Sequence, residues 1–126
     1  MAKATMLKEQ RRLSRRELIY YLKITDRKTG RELGRLGDLH LDGMLLLGLE
    51  PLTIGAIYEA ALELPKGMAR EEGFSEMPFK AEAVWVRPAP KGQNYCESGF
   101  RFLEYAPKAR SVLIRLMETF GMPERA

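Results

Sequence analysis

Arg11, Arg12, Arg15 and Arg16 place four guanidinium groups within six residues. A guanidinium is always charged, forms bidentate hydrogen bonds to phosphate and stacks on flat rings. Such a cluster can grip both the phosphates and the bases of a nucleotide. The alternative is a solvated basic tail, because runs of this kind are common. About 22 residues further on comes Gly37-Asp38-Leu39-His40-Leu41-Asp42-Gly43, polar and bounded by glycines between two hydrophobic runs. An Asp carboxylate can accept from the N1 and N2 donors of a guanine, an arrangement no other base offers so well. His40 could touch phosphate or ribose, and Gly43 would let backbone approach a ligand. The alternative for this stretch is a turn at a barrel corner. The two stretches are expected to meet in space as one anion-binding site, with the rest of the chain as scaffold.

The charge distribution supports a local site. Net charge is +4, yet residues 1–16 hold six Lys/Arg against the single acid Glu9, which is +5. The other 110 residues hold 15 basic and 16 acidic groups, or −1, so the body is nearly neutral. A protein that coats nucleic acid spreads positive charge over a face, so nucleic acid is not the expected partner. A short arginine-dense arm fits a compact anion better. Like charges within the arm are expected to keep it flexible until a ligand neutralises it.

Composition excludes other classes. The chain has 126 residues, 45% hydrophobic and 30% charged, which suits one domain with a core. No apolar run approaches the ~20 residues of a membrane span, and Met1 to Gln10 carries no apolar signal core. A cytoplasmic location and no membrane insertion are the expectations. One cysteine, Cys96, and one histidine, His40, give no internal disulfide and no thiolate or imidazole metal cluster. No Ser/His/Asp set, catalytic acid pair or phosphate-binding glycine loop can be assembled, so no enzyme and no cofactor are expected.

The scaffold reads as mainly β. Residues 17–25 form a period-two strand with Leu18, Tyr20, Leu22 and Ile24 on one face. Residues 26–30 form a turn with Gly30 suited to a positive φ, and 31–36 a second strand. Residues 37–43 read as a bend, 44–47 as a short apolar strand, 49–55 as a loop and 56–64 as a strand ended by Pro65. Residues 66–78 read as a polar connection without periodicity, in which Glu71 and Glu72 are a solvated pair. Strands follow at 79–87 and 95–105, with Phe79, Ala81, Ala83 and Trp85 sharing one face. On that alternation Trp85, Phe100 and Phe102 belong in the core rather than on a base-stacking platform, and Cys96 is a small buried hydrophobe. After Pro107 the period changes to 3.6, with Ala109, Val112, Leu113, Leu116, Met117 and Phe120 on one helical stripe ended by Gly121 and Pro123. The expectation is a six-stranded antiparallel barrel with a C-terminal α-helix.

Together these features resemble the PilZ domain, a bacterial receptor family for cyclic diguanylate (c-di-GMP). Its signature is R-x-x-x-R before the first strand, then [D/N]-x-S-x-x-G some 20 to 30 residues later. Arg11 and Arg15 fit the first part, and Arg12 and Arg16 fit the same spacing in a second register. Asp38 and Gly43 fit the second part, with His40 in place of the family's serine. The run Ala83-Val84-Trp85-Val86, the strand Ser98-Gly99-Phe100-Arg101-Phe102 and the trailing helix also resemble the family's barrel, so the likeness covers most of residues 10–120. The resemblance implies a PilZ-type β-barrel over 17–106, a flexible basic arm over 1–16 and a helix over 107–120. It implies a non-enzymatic c-di-GMP receptor or adaptor. Arg11, Arg12, Arg15 and Arg16 would meet phosphates and guanine faces, Asp38 a guanine edge, and His40 and Gly43 would complete the site. Ordering of the arm would then regulate a protein partner in motility, exopolysaccharide or virulence machinery. Two alternatives remain open: a degenerate PilZ domain that binds only protein, and a small-barrel binder of single-stranded nucleic acid.

Overall fold

Apolar–polar alternation punctuated by turn residues builds an antiparallel barrel in the computed structural model, which describes residues 22–88 and 94–119. The strands are β1 (Lys23–Asp26), β2 (Glu32–Leu39), β3 (Gly43–Gly48), β4 (Ile57–Glu63), β5 (Glu76–Pro88) and β6 (Cys96–Tyr105). A short helix, α1 (Lys66–Glu72), joins β4 to β5, and α2 (Pro107–Thr119) follows β6. The strands close in the order β1-β2-β3-β6-β5-β4, with β4 pairing back onto β1 to complete the barrel. The mainly β barrel with a C-terminal helix is as the alternation and the final 3.6-residue period predict.

Local chemistry fixes the connections. In the β1–β2 turn Gly30 takes φ +78° and its N–H donates to the Asp26 carbonyl at 2.8 Å. The Asp26 carboxylate accepts from the Lys28 N–H at 2.8 Å, which tightens the same turn. Inside the barrel Ile24, Leu36, Leu39, Leu46, Leu62 and Met77 are fully buried. Phe79 and Phe100 pack edge to face with centroids 5.9 Å apart, and Phe79 meets Phe102 at 5.2 Å. Helix α2 lays Ala109, Val112, Leu113 and Leu116 into the same core, as its stripe predicts.

The structure corrects the sequence reading in several places. Strand β2 runs on through Gly37, Asp38 and Leu39, so the expected seven-residue bend shrinks to a turn at residues 40–42. Residues 66–72 form α1, with only Met68 buried and Gly73 capping it in the left-handed conformation at φ +86°. Seven residues with one buried side chain are too few to show a helical period. Glu71 and Glu72 are not merely solvated: both accept from the Arg115 guanidinium of α2, Glu72 at 2.6 Å, although Glu71 stays exposed. The hydrogen bond from Glu71, then that from Glu72, holds the Arg115 guanidinium above its ordinary pKa. Lys108 lies over the Phe74 ring at 4.7 Å, a second tie between α2 and the segment after α1.

Two β-bulges decide which side chains face outward. Leu36 pairs with Leu46 inside the barrel, but Asp38 pairs with Leu45, leaving Gly37 as the extra residue. Leu39, not Asp38, is then the next inward side chain, and it is fully buried against Met44. On β5, Ala83 pairs with Phe100 in the core while Trp85 pairs with Gly99, so two residues oppose one. One bulge shifts the parity of everything after it, which sends Trp85 and Arg87 out of the barrel. Trp85 is 36% exposed, so its expected place in the core is overturned. Phe100 keeps its place there, whereas Cys96 is only half-buried.

The burial of α2 gives a direct test. Leu113→Ala should lower unfolding free energy in urea by about 2–5 kcal/mol, the cost of a cavity at a site without exposure. Arg110→Ala, on the exposed face of the same helix, should change it by less than about 0.5 kcal/mol.

Candidate functional site

The bulges assemble one row across the outer wall. Asp38 of β2 pairs with Leu45 of β3, Leu45 with Gly99 of β6, and Gly99 with Trp85 of β5. At about 4.8 Å per strand, the row spans roughly 14 Å from carboxylate to indole. On one side of it lies the row Gly43–Arg101–Glu82, and on the other Leu47–Glu97–Arg87. An open cleft of about 760 Å³ follows these rows, lined by Asp38, His40, Gly43, Trp85, Arg87 and Arg101 among others. That volume lies within the ~300–1,000 Å³ range of small-molecule sites. A second concavity of about 700 Å³ sits toward the other end of the β2–β3 hairpin. There Arg35 is engaged by Glu32 at 2.9 Å.

The β2–β3 turn is held firmly. The His40 N–H donates to the Gly43 carbonyl at 2.9 Å and closes a two-residue turn. Both turn carbonyls are taken up from β6: Asp42 O accepts from the Phe102 N–H at 2.8 Å and Leu41 O from the Tyr105 hydroxyl at 3.2 Å. The turn therefore presents Asp38 and His40 on a fixed frame. Asp38 is only 3% exposed. Its Oδ1 accepts from the Leu39 N–H at 2.9 Å, and its Oδ2 lies 3.4 Å from His40 Nε2. A carboxylate oriented at both oxygens is a prepared acceptor for paired donors such as a guanine edge.

The sequence-derived candidates divide in two. Asp38, His40 and Gly43 come together in the cleft. Arg11, Arg12, Arg15 and Arg16 lie outside the described residues. The first described residue, Leu22, accepts from the Leu36 N–H at 2.9 Å, so the chain joins β1 two residues from Asp38 along β2.

Sequence reasoning weighed Trp85 as a stacking residue but assigned it to the core, and it did not propose Arg87 or Arg101 for the site. The Arg87 guanidinium carbon sits 4.8 Å over the Trp85 ring, a cation–π contact, and its Nε donates to Glu97 at 2.6 Å. Arg101 is paired with Glu82 across the β5–β6 ladder. A signal was present in Ala83-Val84-Trp85-Val86, four apolar residues in succession. Strict alternation fails there, as it must at a bulge. Among the described residues, no group of three or more His, Cys, Asp or Glu could hold a metal ion. None of their helices is long and apolar enough to cross a membrane.

Comparison with known proteins agrees with the fold. The PilZ domain family model matches residues 10–119. Among solved structures, the PilZ domain with c-di-GMP of YcgR from Escherichia coli is similar with a TM-score of 0.55 at 22% identity, covering 82% of this chain and 83% of that one. The Bacillus subtilis inhibitor of motility (MotI/DgrA) is similar with a TM-score of 0.52 at 15% identity over 75% of this chain, which spans 43% of that protein's length. At such identities the structural likeness concerns the fold. No match was found among curated proteins.

Two glycines of the cleft serve different ends. A Cβ at Gly43 would lie 2.0 Å from the Phe100 carbonyl oxygen, so this glycine lets β3 and β6 approach each other. That is a structural need, beyond any approach of ligand to backbone. A Cβ at Gly99 would lie 2.1 Å from the Trp85 indole nitrogen, so this glycine seats the indole. Gly43→Ala should therefore destabilise the barrel by about 1–3 kcal/mol, because backbone must move. Gly99→Ala should displace only the indole. Trp85 is the sole tryptophan, so the second variant should shift its emission while keeping a near-native melting temperature. The reverse pattern would contradict these roles.

Proposed function

The chain belongs to the PilZ domain family, and from that premise we propose that it is a c-di-GMP receptor that binds the ligand without transforming it. The observation that carries this reading is the outward row from Asp38 to Trp85, which sets a prepared carboxylate and a flat aromatic face in one cleft. Asp38 would accept from guanine N1 and N2 donors. Trp85, with the Arg87 guanidinium over it, would offer a stacking surface for a purine. His40 and Gly43 would border the phosphate-bearing part of the ligand. The arm of residues 1–16 would bring Arg11 and Arg15 to the phosphates, with Arg12 and Arg16 supporting, and the barrel would comprise residues 17–106 with the helix at 107–120. The bound structure of the YcgR domain supports the ligand class.

The regulatory consequence follows from charge. The arm carries +5, and c-di-GMP carries two phosphodiester charges. Binding would neutralise much of the arm and lay it along the cleft, changing the surface shown to a protein partner. The MotI/DgrA likeness makes motility machinery one candidate for that partner.

One contact favours a second reading, a PilZ domain that binds protein alone. His40 Nε2 already lies 3.4 Å from the outer oxygen of Asp38, where a guanine edge would have to sit. Calorimetry separates the two. The receptor reading predicts saturable c-di-GMP binding at micromolar concentration or tighter, weakened about ten- to a hundredfold by Arg11→Ala, Arg15→Ala or Asp38→Ala, each of which removes a charge-assisted contact. Binding by His40→Ser but not by the native chain would establish the second reading instead.

A further inference from the structure

We propose that Glu82 and Glu97 hold the two cleft arginines as internal stand-ins for phosphate, and that ligand binding proceeds by exchange of these ion pairs. The inference rests on the c-di-GMP reading and deepens it by naming what limits affinity at the described wall.

The geometry is reciprocal. Arg87 of β5 is paired with Glu97 of β6, and Arg101 of β6 with Glu82 of β5, each pair directly opposed across the ladder. The pairs flank the Trp85–Gly99 position on either side. In both, the arginine is the exposed partner and the glutamate the sheltered one: 64% against 14% for Arg87–Glu97, and 57% against 29% for Arg101–Glu82. The two guanidiniums line the cleft and the two carboxylates do not. Each arginine thus reaches the cleft from its exposed side while a more sheltered glutamate holds it, Arg87 through Nε and Arg101 through a terminal nitrogen.

The local charge makes the exchange matter. The cleft lining holds Asp38 and Asp42 against Arg87 and Arg101, which cancel with His40 neutral. Adding Glu82 and Glu97 behind them makes the described wall net −2, the wrong sign for a dianion. Attraction must come from the arm and from guanidiniums released by their glutamates. The arginine side of each pair is solvent-exposed and screened, which keeps the pairs modest in strength. A phosphate offers the same bidentate acceptor geometry as the carboxylate it replaces.

The test is calorimetric titration of the full chain with c-di-GMP. Glu82→Gln and Glu97→Gln should each tighten binding about two- to fivefold, and the double variant about tenfold. Binding by these variants should also fall more steeply with added salt, because unpaired guanidiniums face the ligand. Glu97→Gln should have no effect in an Arg87→Gln background, and Glu82→Gln none in an Arg101→Gln background. Glu104→Gln, which frees Lys80 outside the cleft, should leave affinity within twofold and so controls for general charge. If the native chain binds and the variants bind equally or more weakly, the exchange is overturned and the receptor reading stands. If only the double variant binds, the exchange is supported and the native chain is held closed by its own glutamates. If neither binds, both fail.

Discussion

The two-residue period of a β-strand is the constraint on which this site depends. In a closed barrel one face of every strand belongs to the core, so a carboxylate or an arginine placed there would lose water without compensation. Uninterrupted alternation would send Asp38 inward after Leu36, and Trp85 and Arg87 inward after Ala83. The bulges at Gly37 and at Val84-Trp85 prevent this. Each inserts one residue and reverses the parity downstream, which leaves the next core position on β2 to Leu39 and turns Trp85 outward on β5. The two ends of the site reach the outer wall by the same device on strands three positions apart in the barrel order.

From that arrangement comes the division of labour in the cleft. The wall is stiff: the β2–β3 turn is pinned by β6, and Gly43 and Gly99 permit contacts that any side chain would prevent. It supplies shape, an oriented carboxylate and a flat aromatic face, but little net attraction for an anion. In the proposed receptor, attraction would come from the arginine-dense arm together with Arg87 and Arg101. On that proposal shape and charge are carried by different parts of the chain, and binding would rearrange the arm in the same event.

Much of the fold was legible in the sequence. Alternation gave six strands and the change of period gave α2, while the proposed meeting of the two polar stretches has its arginine half outside the described residues. Three features were hidden for physical reasons. Helix α1 has one buried residue, Met68, and takes its support from Arg115, a contact about 43 residues away that no local pattern encodes. Glu71 and Glu72 looked solvated for the same reason. Trp85 looked like core because period-two counting assumes no insertions, although the apolar run 83–86 broke the rule in plain view. Parity errors of this kind fall where a strand serves a site, since that is where bulges re-aim side chains.

The central claim is that c-di-GMP occupies the cleft between Asp38 and Trp85. Trp85 is the only tryptophan, so its fluorescence reports on that cleft alone. Titration of the native chain with c-di-GMP should produce a saturable change in Trp85 emission whose midpoint agrees with calorimetry and moves about ten- to a hundredfold higher in Asp38→Ala. Calorimetric binding without any change in Trp85 emission would place the ligand elsewhere and contradict the account.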